Sequence, residues 1–272
     1  MSQIKKVLIA NRGEIALRII RACRDMGIRT VAVYSTVDKN AMHVQLADES
    51  VCIGPGPSKD SYLNESAILT AALLTNSDAI HPGYGFLSER ADFAQKVEQH
   101  GLIWIGPSAA MIEKMGDKVN AKQTAIKCGL PVVPGSDGAV DTLEDAYAWA
   151  EKIGYPVMLK AAAGGGGRGI RPVMNADQMA EAFQMTKNEA KSGFGDDTLY
   201  IEKLLMHPRH IEFQVLGDKH GNVVIFGERD CSLQRKNQKV MEECPAAILT
   251  QKQRDDMIEI CKNAAKKMGY VN

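Results

Sequence analysis

The sequence carries no net charge and has no long apolar run, and these absences exclude several classes of function. Lysine plus arginine count 33 residues and aspartate plus glutamate count 33, so no general electrostatic surface for nucleic acid or an anionic membrane is expected. The apolar runs are too short for a membrane-spanning helix, and the first residues lead into a strand pattern rather than a signal peptide. We therefore expect a cytoplasmic protein that binds neither nucleic acid nor membrane, and any anion site must be local.

Cysteine is too scattered to build a zinc site or a disulfide framework. The six cysteines form no C-x-x-C pair and no cluster with histidine at zinc spacing. Buried or incidental thiols are the simplest interpretation of these residues. The rest of the composition, 45% apolar and 24% charged in 272 residues, is that of a globular protein with one large or two modest domains.

The chain also lacks the P-loop pattern G-x-x-x-x-G-K-[ST], yet it contains the run Gly164-Gly165-Gly166-Gly167-Arg168-Gly169. Consecutive glycines cost backbone entropy, and a folded enzyme keeps them where backbone N–H groups must approach a ligand closely. Lys160 lies shortly before the run, at the end of the apolar stretch 155–159, where its cation can offset phosphate charge. An apolar strand that ends in a lysine and is followed by a glycine-rich loop predicts a site that holds ATP for phosphoryl transfer.

Other interpretations of this segment are weaker. The run satisfies G-x-G-x-x-G trivially, so that match carries little information. A protein kinase would place its lysine after the glycines, whereas here Lys160 precedes them. A plain flexible linker remains the simplest alternative for the glycines taken alone.

The first part of the chain, residues 4–105, alternates short β-branched runs with amphipathic stretches, a pattern typical of a parallel sheet with crossover helices. Strands are predicted at residues 6–10, 29–34, 50–53, 79–81 and 102–105, and a helix over residues 13–26 with Gly27 as its C-cap. Such a sheet binds ligands at the C-terminal ends of its strands, where residues 11–13 and 81–83 fall. An NAD-dependent dehydrogenase is a poorer candidate, because residues 10–13 supply only one glycine.

The second part of the chain has a different pattern. Residues 108–128 are predicted to be helical, and Pro131 with residues 134–138 marks a boundary. A small α/β unit follows, and it carries the glycine run as a mobile lid. In this unit, helices are predicted over 142–153 and 177–191 and strands over 157–160 and 198–202. After it, we predict a hairpin of 209–216 with 222–229. A final helix is predicted over 250–268, with Thr250 as N-cap and Gly269 as its stop.

Five segments, in order along the chain, resemble the biotin carboxylases, the ATP-grasp enzymes of acetyl-CoA, propionyl-CoA and pyruvate carboxylases. They are residues 7–16, residues 81–89, residues 115–118, Lys160 with the glycine run, and residues 229–235. The resemblance spans all 272 residues but covers only about the first three-fifths of that family's usual catalytic unit. It implies an α/β fold with a Rossmann-like parallel-sheet N-terminal domain, followed by an ATP-grasp lid and an incomplete ATP-grasp C-terminal domain.

The resemblance also implies a division of the chain and a reaction. The expected domains are an N-terminal domain over 1–112, a helical linker over 113–132, a lid over 133–203 and the start of the C-terminal subdomain over 204–272. In the family, bicarbonate attacks the γ-phosphate of ATP to give carboxyphosphate, and biotin captures the CO₂ that this intermediate releases. ATP and Mg²⁺ are the implied cofactors, biotin is the carried substrate, and the implied partners are a biotin carboxyl carrier protein, a carboxyltransferase and a second copy of the chain.

Site residues are implied by position in the matching segments. The resemblance gives Lys118 and Lys160 to the ATP phosphates, with residues 164–169 closing over them. It gives Glu202, Lys203 and Leu205 to the adenine, and His210 and Gln234 to the ribose. Lys239 takes the bicarbonate position, and Tyr84 and Glu89 resemble residues of the biotin and nucleotide region.

Two departures limit the resemblance. Asn237 stands where many relatives carry a histidine, so that contact is left unassigned. The family's magnesium ligands are expected beyond Asn272, and Glu242 and Glu243 would point apart on a strand. We therefore expect these residues alone to lack catalysis. Two alternatives stay open: another ATP-grasp ligase of the carbamoyl-phosphate or purine-carboxylating kind, or a non-catalytic nucleotide-binding or assembly module.

Overall fold

The structure, a computed structural model, describes residues 4–116, 118–162, 169–235 and 238–271, without the side chains of residues 118 and 119. The chain forms two compact units, Met1–Asp117 with Tyr270–Asn272 and Lys118–Gly269. Within the described residues, no helix is long and apolar enough to cross a membrane.

The first unit is built on a parallel sheet with the strand order β3-β2-β1-β4-β5. Its strands are β1 Lys6–Ile9, β2 Arg29–Ser35, β3 Glu49–Gly54, β4 Ala79–His81 and β5 Ile103–Trp104, and its helices are α1 Gly13–Asp25, α2 Met42–Leu46, α3 Glu65–Leu74, α4 Ala91–Gln99 and α5 Ala109–Gly116. Leu8 packs into one apolar cluster, while Val7 and Ile9 pack into another. Both faces of β1 are therefore covered, which is why its sequence is continuously apolar.

Helix α1 shows how closely the sequence pattern predicts this unit. Ala16, Ile19, Ile20 and Cys23 are buried along one face of the helix. Met26 is the C-cap, one residue earlier than the predicted cap Gly27, and Gly27 follows it with φ +68°. The predicted parallel sheet, with all five strands, is confirmed.

The second unit contains the lid sheet, which we define as the antiparallel strands β6 Val157–Ala161, β7 Ile170–Val173 and β8 Leu199–Lys203 in the order β7-β6-β8. Helices α7 Leu143–Ile153 and α8 Met179–Phe194 contribute to the apolar cluster that covers one face of the sheet. Residues 134–140 run along the edge of β8, where Ser136 N–H donates to Ile201 O at 2.8 Å and Val140 N–H donates to Leu199 O at 2.7 Å.

The second unit also contains the hairpin sheet, which consists of β9 Ile211–Gly217, β10 Val223–Arg235 and β11 Gln238–Glu243 in the order β11-β10-β9. The remaining helices are α6 Lys118–Cys128 and α9 Gln251–Met268. Thr250 and Gln253 form a capping box at the start of α9, and Gly269 ends it in the left-handed conformation, as predicted. The predicted β9–β10 hairpin is confirmed, although β10 extends six residues beyond Arg229 to Arg235.

Candidate functional site

The lid sheet presents Lys160 on the face opposite its helices. Residues of β6 alternate between the two faces, so Val157, Leu159 and Ala161 are buried while Met158 and Lys160 are half-buried on the other side. Lys160 lies opposite Tyr200 of β8, and its Nζ is 2.6 Å from Oε2 of Glu202. The predicted phosphate lysine is thus held by a carboxylate on the face of the lid sheet opposite its helices.

A second lysine reaches the same carboxylate. Nζ of Lys122, on α6, is 3.3 Å from Oε1 of Glu202. Burial raises the pKa of Glu202, but the hydrogen bond from Lys160 and the charges of both lysines outweigh it, so the pKa lies below its ordinary value of 4.5. Glu202 is therefore ionised at neutral pH and neutralised by cations from two elements.

Of the glycine run 164–169, the structure describes only the last residue, Gly169. Gly164, Gly165, Gly166, Gly167 and Arg168 lie outside the described residues, as does the side chain of Lys118. Gly169 has φ +68°, and a Cβ added there would lie 2.8 Å from Cβ of Ala161. Its carbonyl accepts the Ala161 N–H at 2.7 Å. Only glycine fits where the run meets β7, because both the backbone angle and the close approach exclude a side chain.

The predicted adenine segment begins at the end of β8. Nζ of Lys203 donates to Gly154 O at 2.9 Å and to Tyr155 O at 3.0 Å, so its cation holds the turn before β6. The N–H of Lys203 donates to Pro134 O at 2.7 Å. Leu205 follows the strand with an exposed side chain. Lys203 is therefore fixed by structural contacts of both its side chain and its backbone N–H.

His210 and Gln234, the residues predicted near the ribose, are brought together on the hairpin sheet. Nε2 of Gln234 is 2.8 Å from Nδ1 of His210 and also donates to Cys231 O at 3.0 Å. An amide nitrogen can only donate, so Gln234 is the donor to Nδ1 of His210 in this contact. Two polar groups predicted to share one ligand are thus adjacent.

Lys239, the predicted bicarbonate residue, is bound by Glu212. Its Nζ donates to Oε2 of Glu212, and Nε of Arg229 donates to Oε1 of the same carboxylate at 2.7 Å. Glu242 lies 3.6 Å from Lys239. The hydrogen bond from Lys239 lowers the pKa of Glu212, and the hydrogen bond to Glu212 in turn raises the pKa of Lys239. The arrangement fixes the Lys239 ammonium on the sheet surface between two carboxylates.

One group of side chains has metal-ligand spacing, but its chemistry does not suit magnesium. Ligand atoms of Glu212, Cys231 and Glu242 lie within 4.8 Å of one another, and this is the one such group among the described residues. The Glu212 oxygens are already taken by Lys239 and Arg229. Burial raises the pKa of the Cys231 thiol. Magnesium requires oxygen ligands and would be repelled by the two cations, so no magnesium step is assigned to these residues.

The first unit brings together the two strand ends that the sequence analysis noted. The buried Asn11 donates through Nδ2 to Pro82 O at 2.7 Å and to Tyr84 O at 2.8 Å. The Tyr84 hydroxyl donates to Glu14 Oε1. Gly83 has φ +65°, and a Cβ there would lie 2.9 Å from Nδ2 of Asn11. Asn11 therefore fixes the loop that presents Tyr84 and the exposed Glu89.

Lys122 and Glu212 are two residues of these sites for which the sequence motifs predict no role. Lys122 pairs with a residue 80 positions away, and nothing local signals such a contact. Glu212 lies two residues after His210, so the alternation of a strand places both side chains on one face. That alternation is the signal that could have identified Glu212.

Two family models match the chain. The model for biotin carboxylase, N-terminal domain, matches residues 3–112, and the model for carbamoyl-phosphate synthase L chain, ATP binding domain, matches residues 117–272. Biotin carboxylase from Haemophilus influenzae is 56% identical over 268 residues, which are 98% of this chain and 60% of that protein.

Solved structures agree with these matches. A complex of biotin carboxylase with β,γ-ATP from Campylobacter jejuni has a TM-score of 0.92 at 50% identity, over 99% of this chain and 60% of that one. The biotin carboxylase domain dimer of 2-oxoglutarate carboxylase from Hydrogenobacter thermophilus, solved with MgADP, ADP and bicarbonate, has a TM-score of 0.89 at 50% identity, over 100% of this chain and 60% of that one. The chain thus spans about 60% of the length of these relatives. The resemblance found in the motifs is confirmed, and the chain belongs to the biotin carboxylase family.

Proposed function

We propose that the natural full-length polypeptide containing this chain is an ATP-dependent biotin carboxylase. It would carboxylate biotin on a carrier protein with bicarbonate, by way of carboxyphosphate, and so belong to the ligases that form a C–N bond. The observation that carries the proposal is Lys160, held by Glu202 on the face of the lid sheet opposite its helices, shortly before the glycine run. Family membership supplies the class of reaction.

The described side chains support three binding roles. Lys160 is a compact cation suited to a phosphate oxygen. The paired His210 and Gln234 offer hydrogen bonds to ribose hydroxyls, and the segment from Glu202 to Leu205 offers backbone groups to the adenine. The roles of Lys118, of residues 164–169 and of Tyr84 and Glu89 remain proposals that rest on the family motifs.

Lys239 is proposed to bind bicarbonate. Bicarbonate carries one negative charge, and the ammonium of Lys239 provides the opposite charge on the sheet surface. Its bond to Glu212 fixes the ammonium in position before the anion binds. Arg229 shares Glu212, and Glu242 lies 3.9 Å from Arg229 and 3.6 Å from Lys239, so bicarbonate would compete with these carboxylates for Lys239.

Several finer features are part of the proposal and rest on the family alone. They are the carrier protein and carboxyltransferase as partners, a homodimer, a cytoplasmic location, a role in fatty acid biosynthesis, and magnesium held by residues outside the described ones. The four-part division at residues 112, 132 and 203 is likewise proposed. The match of residues 117–272 to the ATP binding domain of carbamoyl-phosphate synthase favours, as a second candidate, a ligase that transfers phosphate to bicarbonate without biotin.

Phosphate release by the natural full-length polypeptide distinguishes the two candidates. With ATP, magnesium and bicarbonate present, we expect free biotin or biotinylated carrier to stimulate release, and Lys239→Met to abolish the stimulation. Release that is fast without biotin and unchanged by it would favour the second candidate. A polypeptide that binds nucleotide but shows no turnover would favour an assembly role.

A further inference from the structure

The carboxylate of Glu202 has an unusual environment for a nucleotide-site residue. Its side chain is only 15% exposed, and it lies between Lys160 of β6 and Lys122 of α6, whose side chains are 29% and 21% exposed. The Lys160 contact is the shorter, at 2.6 Å against 3.3 Å. One half-buried anion is therefore shared by two half-buried cations.

In the proposed function, Lys160 must bind a second anion, a phosphate of ATP. A polyphosphate beside Lys160 competes with Glu202 for the same ammonium. If Lys160 turned to the phosphate and nothing replaced it, Glu202 would remain as a half-buried charge without a partner. Such a charge is costly in a protein interior, and the group escapes the cost by taking up a proton.

We infer that Lys122 is a positioning residue that keeps Glu202 ionised and in place when Lys160 turns to a nucleotide phosphate. The inference rests on the proposed function, because it requires ATP at Lys160. Lys122 contacts no reacting atom in this account; it acts through Glu202. Its position on α6, a different element from β6, lets it hold Glu202 independently of Lys160.

The backbone near Glu202 leaves space for this second lysine. A Cβ added to Gly135 would lie 2.7 Å from Nζ of Lys122 and 3.0 Å from Cγ of Glu202. Gly135 also pairs with Glu202 as an isolated β-bridge. The same Cβ would lie 2.5 Å from Ile201 O, so the backbone of β8 is what requires glycine here, and the Lys122 ammonium lies in the space beside it.

Among the described side chains, the titratable groups that face Glu202 are Lys160 from β6, Lys122 from α6 and Tyr200 from its own strand. Burial, with a smaller effect of the Glu202 charge, raises the pKa of Tyr200 to about 12. A phenol carries no positive charge in either protonation state, so Tyr200 cannot balance the carboxylate. Lys122 is left to do so.

Calorimetry of Mg-ATP binding in two buffers of different protonation enthalpy tests the inference on the natural full-length polypeptide. For Lys122→Met we expect affinity lower by about tenfold at pH 7.5, since a buried charge left unpaired costs of that order. We also expect uptake of up to one proton per ATP, beyond the value for the control Lys127→Met on the exposed face of α6. Lys122→Arg should restore both values. Affinity and proton uptake equal to the control would overturn the inference.

A double-mutant cycle separates this role from a general effect on folding. Glu202→Gln removes the charge that Lys122 is inferred to balance. Adding Lys122→Met to Glu202→Gln should then change affinity by less than about twofold. A second loss as large as that in the wild-type background would show that Lys122 acts otherwise and would overturn the inference.

Lys160→Met distinguishes failure of this inference from failure of the proposed function. If Lys160→Met weakens ATP binding while Lys122→Met does not, the proposed function stands and the inference falls. If wild type binds no ATP, or if Lys160→Met binds it as well as wild type does, both fall together.

Discussion

The lid sheet and the hairpin sheet each hold a glutamate between two cations, but they hold it in different ways. Glu202 lies between two lysines, and Glu212 lies between Lys239 and Arg229. Glu202 is the more buried, at 15% exposure against 26%. Burial is the largest influence on the pKa of Glu202, whereas the Lys239 hydrogen bond is the largest on that of Glu212.

The two sheets also differ in what lies beneath them. The lid sheet rests on an apolar cluster that includes Val157, Leu159 and Ile201. The hairpin sheet is joined to α9 by the buried Glu228, which accepts from Arg254 Nε at 2.7 Å. Leu216 and Phe226 of the hairpin sheet are exposed. Apolar packing therefore positions the strand that carries Lys160, and Glu202 then holds its ammonium, whereas a network of charges surrounds Lys239.

The largest effect is expected when the charge network around Lys239 is broken. In the natural full-length polypeptide, Lys239→Met should lower biotin-dependent phosphate release by roughly 1,000-fold, because a fixed charge at the anion is lost. ATP affinity should change little, since Lys160 is untouched. Steady-state release and calorimetry measure the two quantities. Equal losses of turnover and ATP affinity would contradict the separate roles of the two sheets.

The next effect concerns the apolar cluster. Leu159→Ala should destabilise the lid by about 3 kcal/mol, as large-to-small changes in a packed core do. Leu216→Ala, at an exposed position of the hairpin sheet, is the matched control and should cost far less. Hydrogen exchange of the β6 and β8 amides measures the lid directly. Similar costs for both variants would show that the two sheets do not differ as described.

A smaller effect concerns the first turn of α9. Thr250→Ala removes the side chain that accepts the Gln253 N–H and should cost about 1 kcal/mol. Lys252→Ala, exposed in the same turn, should be close to neutral. Denaturant unfolding measures both variants. A cost for Lys252→Ala as large as that for Thr250→Ala would argue against the cap.

The smallest effect is a pH dependence. The pKa values of Glu202 and Glu212 are both lowered from 4.5 in the folded state. Their ion pairs therefore contribute stability that is fully present above pH 4.5 and is lost as pH falls through the lower folded values. In Glu202→Gln, the free energy of unfolding should therefore fall less steeply as pH drops below 4.5. A steeper fall than in wild type would contradict this assignment.

Much of the fold could be predicted because its signals are local. The strands β1 and β2 could be predicted from their apolar runs. The two ends of α9 could be predicted from Thr250 and Gly269. β7 was not predicted, because it is short, follows the glycine run and contains Pro172. β11 was not predicted either, because its residues, Gln238–Glu243, are all exposed and its two apolar residues are adjacent rather than alternating with polar ones.

The site was predictable only in part, for a physical reason. Lys160 stands out because a charge ends an apolar strand, and the structure places it on the face of the lid sheet opposite its helices. Lys160 meets its partner Glu202 only in the tertiary structure, because the two residues are 42 positions apart in the sequence. Lys122, which binds the same carboxylate, is 80 positions from Glu202. Contacts of that kind leave no periodicity in the sequence.

The most direct test of the central claim is titration of Mg-ATP into the natural full-length polypeptide and its Lys160→Met variant, with Lys191→Met, exposed on α8, as control. Loss of a charge-assisted contact to phosphate should weaken binding by about 30-fold for Lys160→Met. The control should bind as wild type does. No measurable binding by wild type, or equal binding by all three proteins, would contradict the account.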